Sequence, residues 1–405
     1  MKKSTDREIR HSPSNERDIL LGQGLAKIPE RLLLAHARGQ VLFIAGAGIS
    51  KPSGLPDFRN LVLNVYKQLD SDVYKVISKL DNESCELINE KDQGLIYAQV
   101  AECRRFRRKD FDVVLGMLER RMDNISKGDS LVRQAVVNAL RLPDVKPAPI
   151  HRVLMRLADR GGAVTMVTTN IDLLLEAASK RIGHVVQTYS LGGIPRPSMS
   201  NDFNGVMHIH GALERKPDRV SNMILTDHDF GEFYLRKRIV PDFIYDAARL
   251  FNLVLVGYSA NDPPMKYLFD AIAADGSRFN DIKERFIFIA TDDPVELKDW
   301  QGRGITPVPY KEANSHSQLL ETLERWALLL PDNGKRNADV EVKRIVTKAR
   351  KDANDADRDL FDHLIRRCDS NERIQFGEFA SKHKADYSWL DAIVCIMNEN
   401  DQGIR

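Results

Sequence analysis

The 405-residue sequence predicts an α/β fold: a Rossmann-like, doubly wound parallel sheet with a helical insertion and a C-terminal helical module. Three observations lead there. Short apolar runs recur along the chain, separated by segments long enough for crossover helices. Polar clusters follow four of those runs. A long amphipathic stretch divides the first run from the second.

Residues 1–24 are polar and charged and read as an arm or docking segment. Ile28, Leu32, Leu33 and Ala35 recur at helical spacing and predict a helix over Leu25–Arg38. Val41–Ala45 is a continuous apolar run ended by glycine, as expected of a strand buried on both faces. Val164–Val167, Val206–Ile209, Leu253–Val256 and Phe286–Ile289 repeat that character, with crossover helices expected at Asp172–Ile182 and Met265–Ala274. Ile305–Tyr310 reads as an edge strand, where Pro307 and Pro309 are tolerated. Residues 60–150 contain the amphipathic stretches Leu61–Leu69, Leu95–Arg105 and Leu131–Leu140, and read as an insertion over the carboxyl edge of the sheet. Beyond Pro331, the apolar positions from Val342 to Ile365 predict one long helix, and those from Trp389 to Met397 another. The domain boundaries that follow are 1–32 for the arm and helix start, 33–330 for the α/β domain and 331–405 for the helical module.

Composition excludes several classes. A hydrophobic fraction of 42% with 29% charged residues is that of a globular chain, and a net charge of +2 does not advertise nucleic-acid binding. No apolar run approaches the roughly 20 residues that span a bilayer, and no secretory leader is written at the N-terminus. Cys85, Cys103, Cys368 and Cys395 lie far apart, without CxxC spacing; reduced, mostly buried thiols in a cytoplasmic protein are expected.

The chemistry-bearing residues stand at the ends of the apolar runs. Gly46-Ala47-Gly48-Ile49-Ser50 follows the first, and its glycines suit a tight turn whose amides approach a pyrophosphate. The third glycine of the usual fingerprint is absent; Lys51 stands there. Gly54-Leu55-Pro56-Asp57-Phe58-Arg59 then places an aromatic, a carboxylate and a guanidinium close by, though a Pro turn with an ordinary ion pair has the same spelling. Thr168-Thr169-Asn170-Ile171-Asp172 ends the second run, and Asn170 by itself reads as a helix cap. The third ends in His208-Ile209-His210-Gly211. His208 reads as a satisfied core residue, and His210, at the carboxyl edge, as a catalytic candidate. Gly257-Tyr258-Ser259 closes the fourth with a turn suited to the adenosine half of a dinucleotide.

Taken in order, GAGIS, GLPDFR, TTNID, HIHG and GYSANDPP resemble the sirtuin family over roughly residues 33–310, and in particular the bacterial sirtuin-like NAD hydrolases of anti-phage defence. The resemblance implies that Gly46, Ala47, Gly48 and Ser50 cradle the pyrophosphate, and that Asp57, Phe58 and Arg59 belong to a flexible cofactor-binding loop. Asn170 and Asp172 would line the nicotinamide pocket, His210 would be the catalytic histidine, and Gly257 and Ser259 would face the adenosine ribose. Thr169, counted with the cofactor-binding residues, replaces the family's glutamine. Residues 212–252 contain no cysteine, so the zinc module of the deacetylases is not expected. The implied activity is hydrolysis of NAD, bound as substrate, to nicotinamide and ADP-ribose, with Asn170 and His210 catalytic. A protein deacylase or ADP-ribosyltransferase, and an NAD- or ADP-ribose-sensing scaffold, are the alternatives. A homo-oligomer is expected, with a HerA-type ATPase or translocase as candidate partner and neither membrane nor direct nucleic-acid binding.

Overall fold

The computed structural model describes residues 17–80, 94–122, 130–161, 163–179, 186–197, 202–213, 223–258, 263–276, 281–330 and 338–402. The chain forms two compact units, one of residues 40–327 and one that joins residues 1–39 to 328–405.

In the smaller unit, β1 (Asp18–Leu20) and β2 (Lys27–Pro29) form an antiparallel hairpin, and a helix covers Glu30–Ala37. The helix expected from Leu25 thus begins five residues later. Pro29 explains this: it biases Ile28 towards extended backbone and stands just ahead of the first turn. The hairpin docks on the helix Asp355–Arg366, where Asp359 accepts from the Leu20 amide (3.1 Å) and buried Glu30 meets His363 (3.2 Å) and Arg366 (3.4 Å). The single long helix expected from Val342 to Ile365 is instead two, Ala338–Ile345 and Asp355–Arg366. Asn354 caps the second by accepting from the Asp357 amide (2.7 Å), with Asp355 and Asp357 favouring its N-terminal dipole. The Trp389 indole N–H donates to the Lys348 carbonyl (2.7 Å) in the break. Helices Ser370–Lys382 and Tyr387–Gln402 complete the unit, with Phe361 tilted against Trp389 (4.6 Å) and edge-on to Phe376 (5.3 Å). Among the described cysteines only Cys103 is buried; Cys395 is exposed, against the expectation of mostly buried thiols.

The larger unit is built on a seven-stranded parallel sheet. Its strands are β3 (Val41–Ala45), β4 (Thr165–Thr168), β5 (Gln187–Tyr189), β6 (Gly205–His208), β7 (Asn252–Val256), β8 (Arg285–Ile289) and β9 (Thr306–Pro309), in the order β5-β6-β4-β3-β7-β8-β9. β9 lies at one edge, as its prolines require. β5, at the other, is short and half exposed, so it carries no apolar run to announce it. Phe43 and Phe288 meet Trp326 of the helix Ser317–Ala327 on one face (5.4 and 6.4 Å). Leu42, Ile44, Leu253 and Leu255 share a core with Phe243, Ile244 and Ala247 of the helix Ile239–Leu250 on the other. Covering both faces is why these strands are continuously apolar.

Among the described residues the insertion is formed by the helices Phe58–Leu69, Ser71–Ile77, Tyr97–Arg107, Phe111–Met122 and Leu131–Leu140. Their core includes Ile171, Leu213, Met223 and Leu225, which follow β4 and β6; the insertion therefore sits over the carboxyl edge of the sheet. Arg133 fastens it there, reaching the Met223 carbonyl (2.8 Å), Asp229 (2.8 Å) and Glu119 (3.0 Å).

Candidate active site

The strand order reverses about β3: the chain passes to β4 on one side and later returns to β7 on the other, all strands parallel. Open α/β sheets form their ligand crevice at the carboxyl ends beside such a reversal. Here the two turns that leave β3 and β7 are in contact. The Gly46 and Gly48 amides donate to the carbonyls of Val256 and Gly257 (2.9 Å each), and those of Ile49 and Ser50 close a 3-10 turn on Gly46 and Ala47 (3.2 and 3.1 Å). A methyl group at Gly46 or Gly48 would lie 2.6 or 2.8 Å from the Gly257 oxygen. Gly257 itself has φ +67°, and a Cβ there would meet the Ile49 amide nitrogen at 2.7 Å. These glycines first serve the approach of two strand ends.

Ser50 carries the next layer. Its buried hydroxyl accepts from Asn170 Nδ2 (3.0 Å), donates to Asp172 Oδ2 (2.9 Å) and lies 3.3 Å from His151 Nε2. His151 Nδ1 accepts from the Ala148 amide (3.1 Å), so the neutral ring bears its proton on Nε2 and donates it to Ser50. The Ser50 oxygen then has every hydrogen-bonding position filled. Burial pushes Asp172 above the usual carboxylate range, opposed by the Leu174 amide and the Ser50 hydroxyl. Asn170, 7% exposed, is left with one buried acceptor, Oδ1, that has no hydrogen-bond partner among the described residues.

His151 belongs to none of the motifs above. The only local signal is Pro149, which opens the helix Pro149–Leu157 two residues before it. Burial pulls its pKa from 6.5 down to about 4. The folded protein holds the ring neutral while the unfolded chain takes up a proton near pH 6.5. This stabilisation is therefore complete above about 6.5 and is lost as pH falls towards 4, by roughly 3 kcal/mol. Urea unfolding between pH 7 and 4 is expected to show that slope, and His151→Gln to reduce it.

His208 is a satisfied core residue. Its Nδ1 faces the Asn170 carbonyl (2.7 Å), which only accepts, and its Nε2 faces Glu176 (2.8 Å). Burial opposes charge on the ring, but Glu176, the Asn170 carbonyl and Asp172 together outweigh it and the pKa is raised. The imidazolium so held ties β6 to the backbone of Asn170. His210 lies two residues further on, past the end of β6, beside the β4 terminus that carries Asn170. Its Nε2 is 2.7 Å from the Tyr234 hydroxyl, and Phe230 stands edge-on at 5.6 Å.

Residues 164–308 match the family described as the SIR2-like domain. That segment is SIR2-like. The matched segment includes Asn170, His210 and the β7 turn; the Gly46–Arg59 motifs lie ahead of it. An uncharacterized protein of Sinorhizobium fredii, y4cA, is 30% identical over 391 residues, which cover 91% of this chain; the chain spans 29% of that protein's length. Two solved Sir2 structures align at 14% identity. One, of Sir2 enzymes in a study of mechanism and regulation, covers 73% of this chain and 95% of its own, with a TM-score of 0.31. The other, Sir2 with the inhibitor EX-527, 2'-O-acetyl-ADP-ribose and a deacetylated p53 peptide, covers 71% and 91%, with a TM-score of 0.29.

Not every sequence motif meets at Ser50. Asp57 caps the helix Phe58–Leu69 through the Asn60 amide (2.9 Å) and pairs with Lys51 (3.2 Å). Phe58 packs on Phe111 (6.0 Å), while Arg59 donates to the Leu80 carbonyl (2.7 Å) and lies over Phe106 (5.5 Å). These three, expected in a flexible loop, cap and open the first helix of the insertion, and Phe58 and Arg59 pack within it. Thr169 donates its amide to the Ala45 carbonyl (3.0 Å), tying β4 to β3. Ser259 lies outside the described residues. Among the described residues no group of three or more His, Cys, Asp or Glu is arranged to hold a metal, and no helix is long and apolar enough to cross a membrane.

Proposed function

We propose that the chain is an NAD hydrolase that splits the bond between nicotinamide and ribose. The SIR2-like domain supports NAD-using chemistry in general. The observation that carries the hydrolytic reading is the Asn170 amide. Its Nδ2 is pinned to a saturated serine hydroxyl, and its Oδ1 is a buried acceptor awaiting a donor at the carboxyl edge of the sheet. A carbonyl oxygen so placed takes an O–H from a water molecule and aims that water's oxygen at the anomeric carbon. Nicotinamide leaves as a neutral group with the electrons of the broken C–N bond, and the water oxygen forms the new bond to carbon. His210 receives the proton, directly or through a ribose hydroxyl, for roughly 10²–10⁴ in rate. Positioning by the Ser50–His151–Asp172 network supplies a further share.

Mass spectrometry after incubation with NAD, with and without an acyl-lysine peptide, tests the reading. Nicotinamide and ADP-ribose formed without peptide support it. O-acyl-ADP-ribose that appears only with peptide overturns it in favour of acyl transfer, and binding without either product favours a sensing module. The proposal extends to a homo-oligomer, a HerA-type ATPase or translocase partner and a role in anti-phage defence; these rest on the motif resemblance alone.

A further inference from the structure

We propose that Tyr234 is a positioning residue for His210, fixing the orientation and the proton arrangement of its ring; this rests on the NAD-hydrolase reading. Tyr234 lies in the cysteine-free stretch after His210, outside every motif that marks the site. Its hydroxyl is 2.7 Å from His210 Nε2, and both residues are buried. Phe230 completes an aromatic corner, edge-on to His210 at 5.6 Å and tilted against Tyr234 at 5.4 Å.

The backbone that presents this phenol is unusual. The helix Asp227–Phe230 passes directly into a π-helical turn, Gly231–Arg236, which carries Tyr234. Single π turns are less stable than α turns and recur where a side chain must be aimed. Arg238, with φ +54°, follows at the entry to the helix Ile239–Leu250, a second departure from easy geometry within three residues. The platform beneath is held firmly. Thr226 and Asp229 form a capping box, and Asp229 is gripped by Arg133 of the insertion. Costly backbone on a rigid base, ending in one hydroxyl against one imidazole nitrogen, is what a positioning device requires.

Without the hydroxyl the ring would keep its packing but lose the 2.7 Å contact that Tyr234 makes with Nε2. Tyr234→Phe keeps the aromatic volume and removes only that oxygen. Its kcat for NAD cleavage is expected to fall about tenfold, the worth of one neutral hydrogen bond, with KM for NAD unchanged. In the His210→Ala background the same substitution is expected to have no further effect. The ring-nitrogen NMR shifts of His210, identified as the signals missing from His210→Ala, are expected to move in Tyr234→Phe at fixed pH. Unmoved His210 shifts together with wild-type kcat overturn the proposal. Equal losses with and without His210 also overturn it, since they assign Tyr234 a structural role. If the wild-type protein does not cleave NAD, the hydrolase reading fails, and the NMR shifts still decide whether Tyr234 governs the ring.

Discussion

Asn170→Ala is expected to abolish nicotinamide release while leaving the protein folded. The substitution removes a buried acceptor that has no hydrogen-bond partner among the described residues and, with it, the group proposed to hold the attacking water. Losing an oriented water in a water-excluded site lowers the rate by at least roughly 10²–10³-fold. The structural loss is small by comparison. Among the described residues Asn170 makes a single side-chain hydrogen bond, to Ser50, worth about 1 kcal/mol. Its backbone amide and carbonyl, bonded to Thr168 Oγ1 (3.0 Å) and His208 Nδ1 (2.7 Å), are untouched. Chromatographic assay of nicotinamide beside a thermal melt separates the two effects. An inactive variant whose melting point falls with the activity would point to unfolding instead.

Arg121→Met is expected to have the largest effect on stability. Arg121 bridges Glu102 (2.8 Å) and Asp70 (2.6 Å) inside the insertion, where their side chains are 1% and 6% exposed. Tyr66 donates its hydroxyl to Glu102 (2.9 Å) and Gln99 its amide to Asp70 (2.9 Å), so the carboxylates are also held by neutral donors. Methionine fills the volume but leaves two buried carboxylates without their cation, at a cost of about 3–5 kcal/mol. Urea unfolding at neutral pH measures it. An unchanged midpoint would show that the neutral donors suffice. Because Asp70 is held below its ordinary range, despite burial, by Gln99, the Val73 amide and Arg121, its stabilising contribution is present at neutral pH and lost on acidification. The gap between variant and wild type is therefore expected to narrow as pH falls.

Much of the fold is legible because strands buried on both faces must be apolar throughout. Val41–Ala45 and Leu253–Val256 announce themselves for that reason, and β5, at an edge, does not. The break between Ile345 and Asp355 is spelled by Asn354 and its following acids, a local cap that overrides a helical stripe of apolar residues. At the site, Asn170 and His210 stand out because polar side chains after buried strands have few reasons to be there. His151 and Tyr234 do not. Each acts through a neighbour distant in sequence, Ser50 across 101 positions and His210 across 24, and such pairing leaves no local pattern. The motif at Asp57–Arg59 shows the converse. A run that reads as a ligand loop caps and opens a helix, because Phe106, Phe111 and the Leu80 carbonyl are there to receive it.

The geometric claim at the centre is that Asn170 and His210, at the ends of neighbouring strands, face one bond of one dinucleotide. A crystal structure of the His210→Ala protein soaked with NAD tests it most directly. The nicotinamide ribose is expected within reach of Asn170 Oδ1, with a water or carboxamide donor completing that acceptor. NAD seated with its ribose away from Asn170, or bound at another part of the chain, would contradict the account.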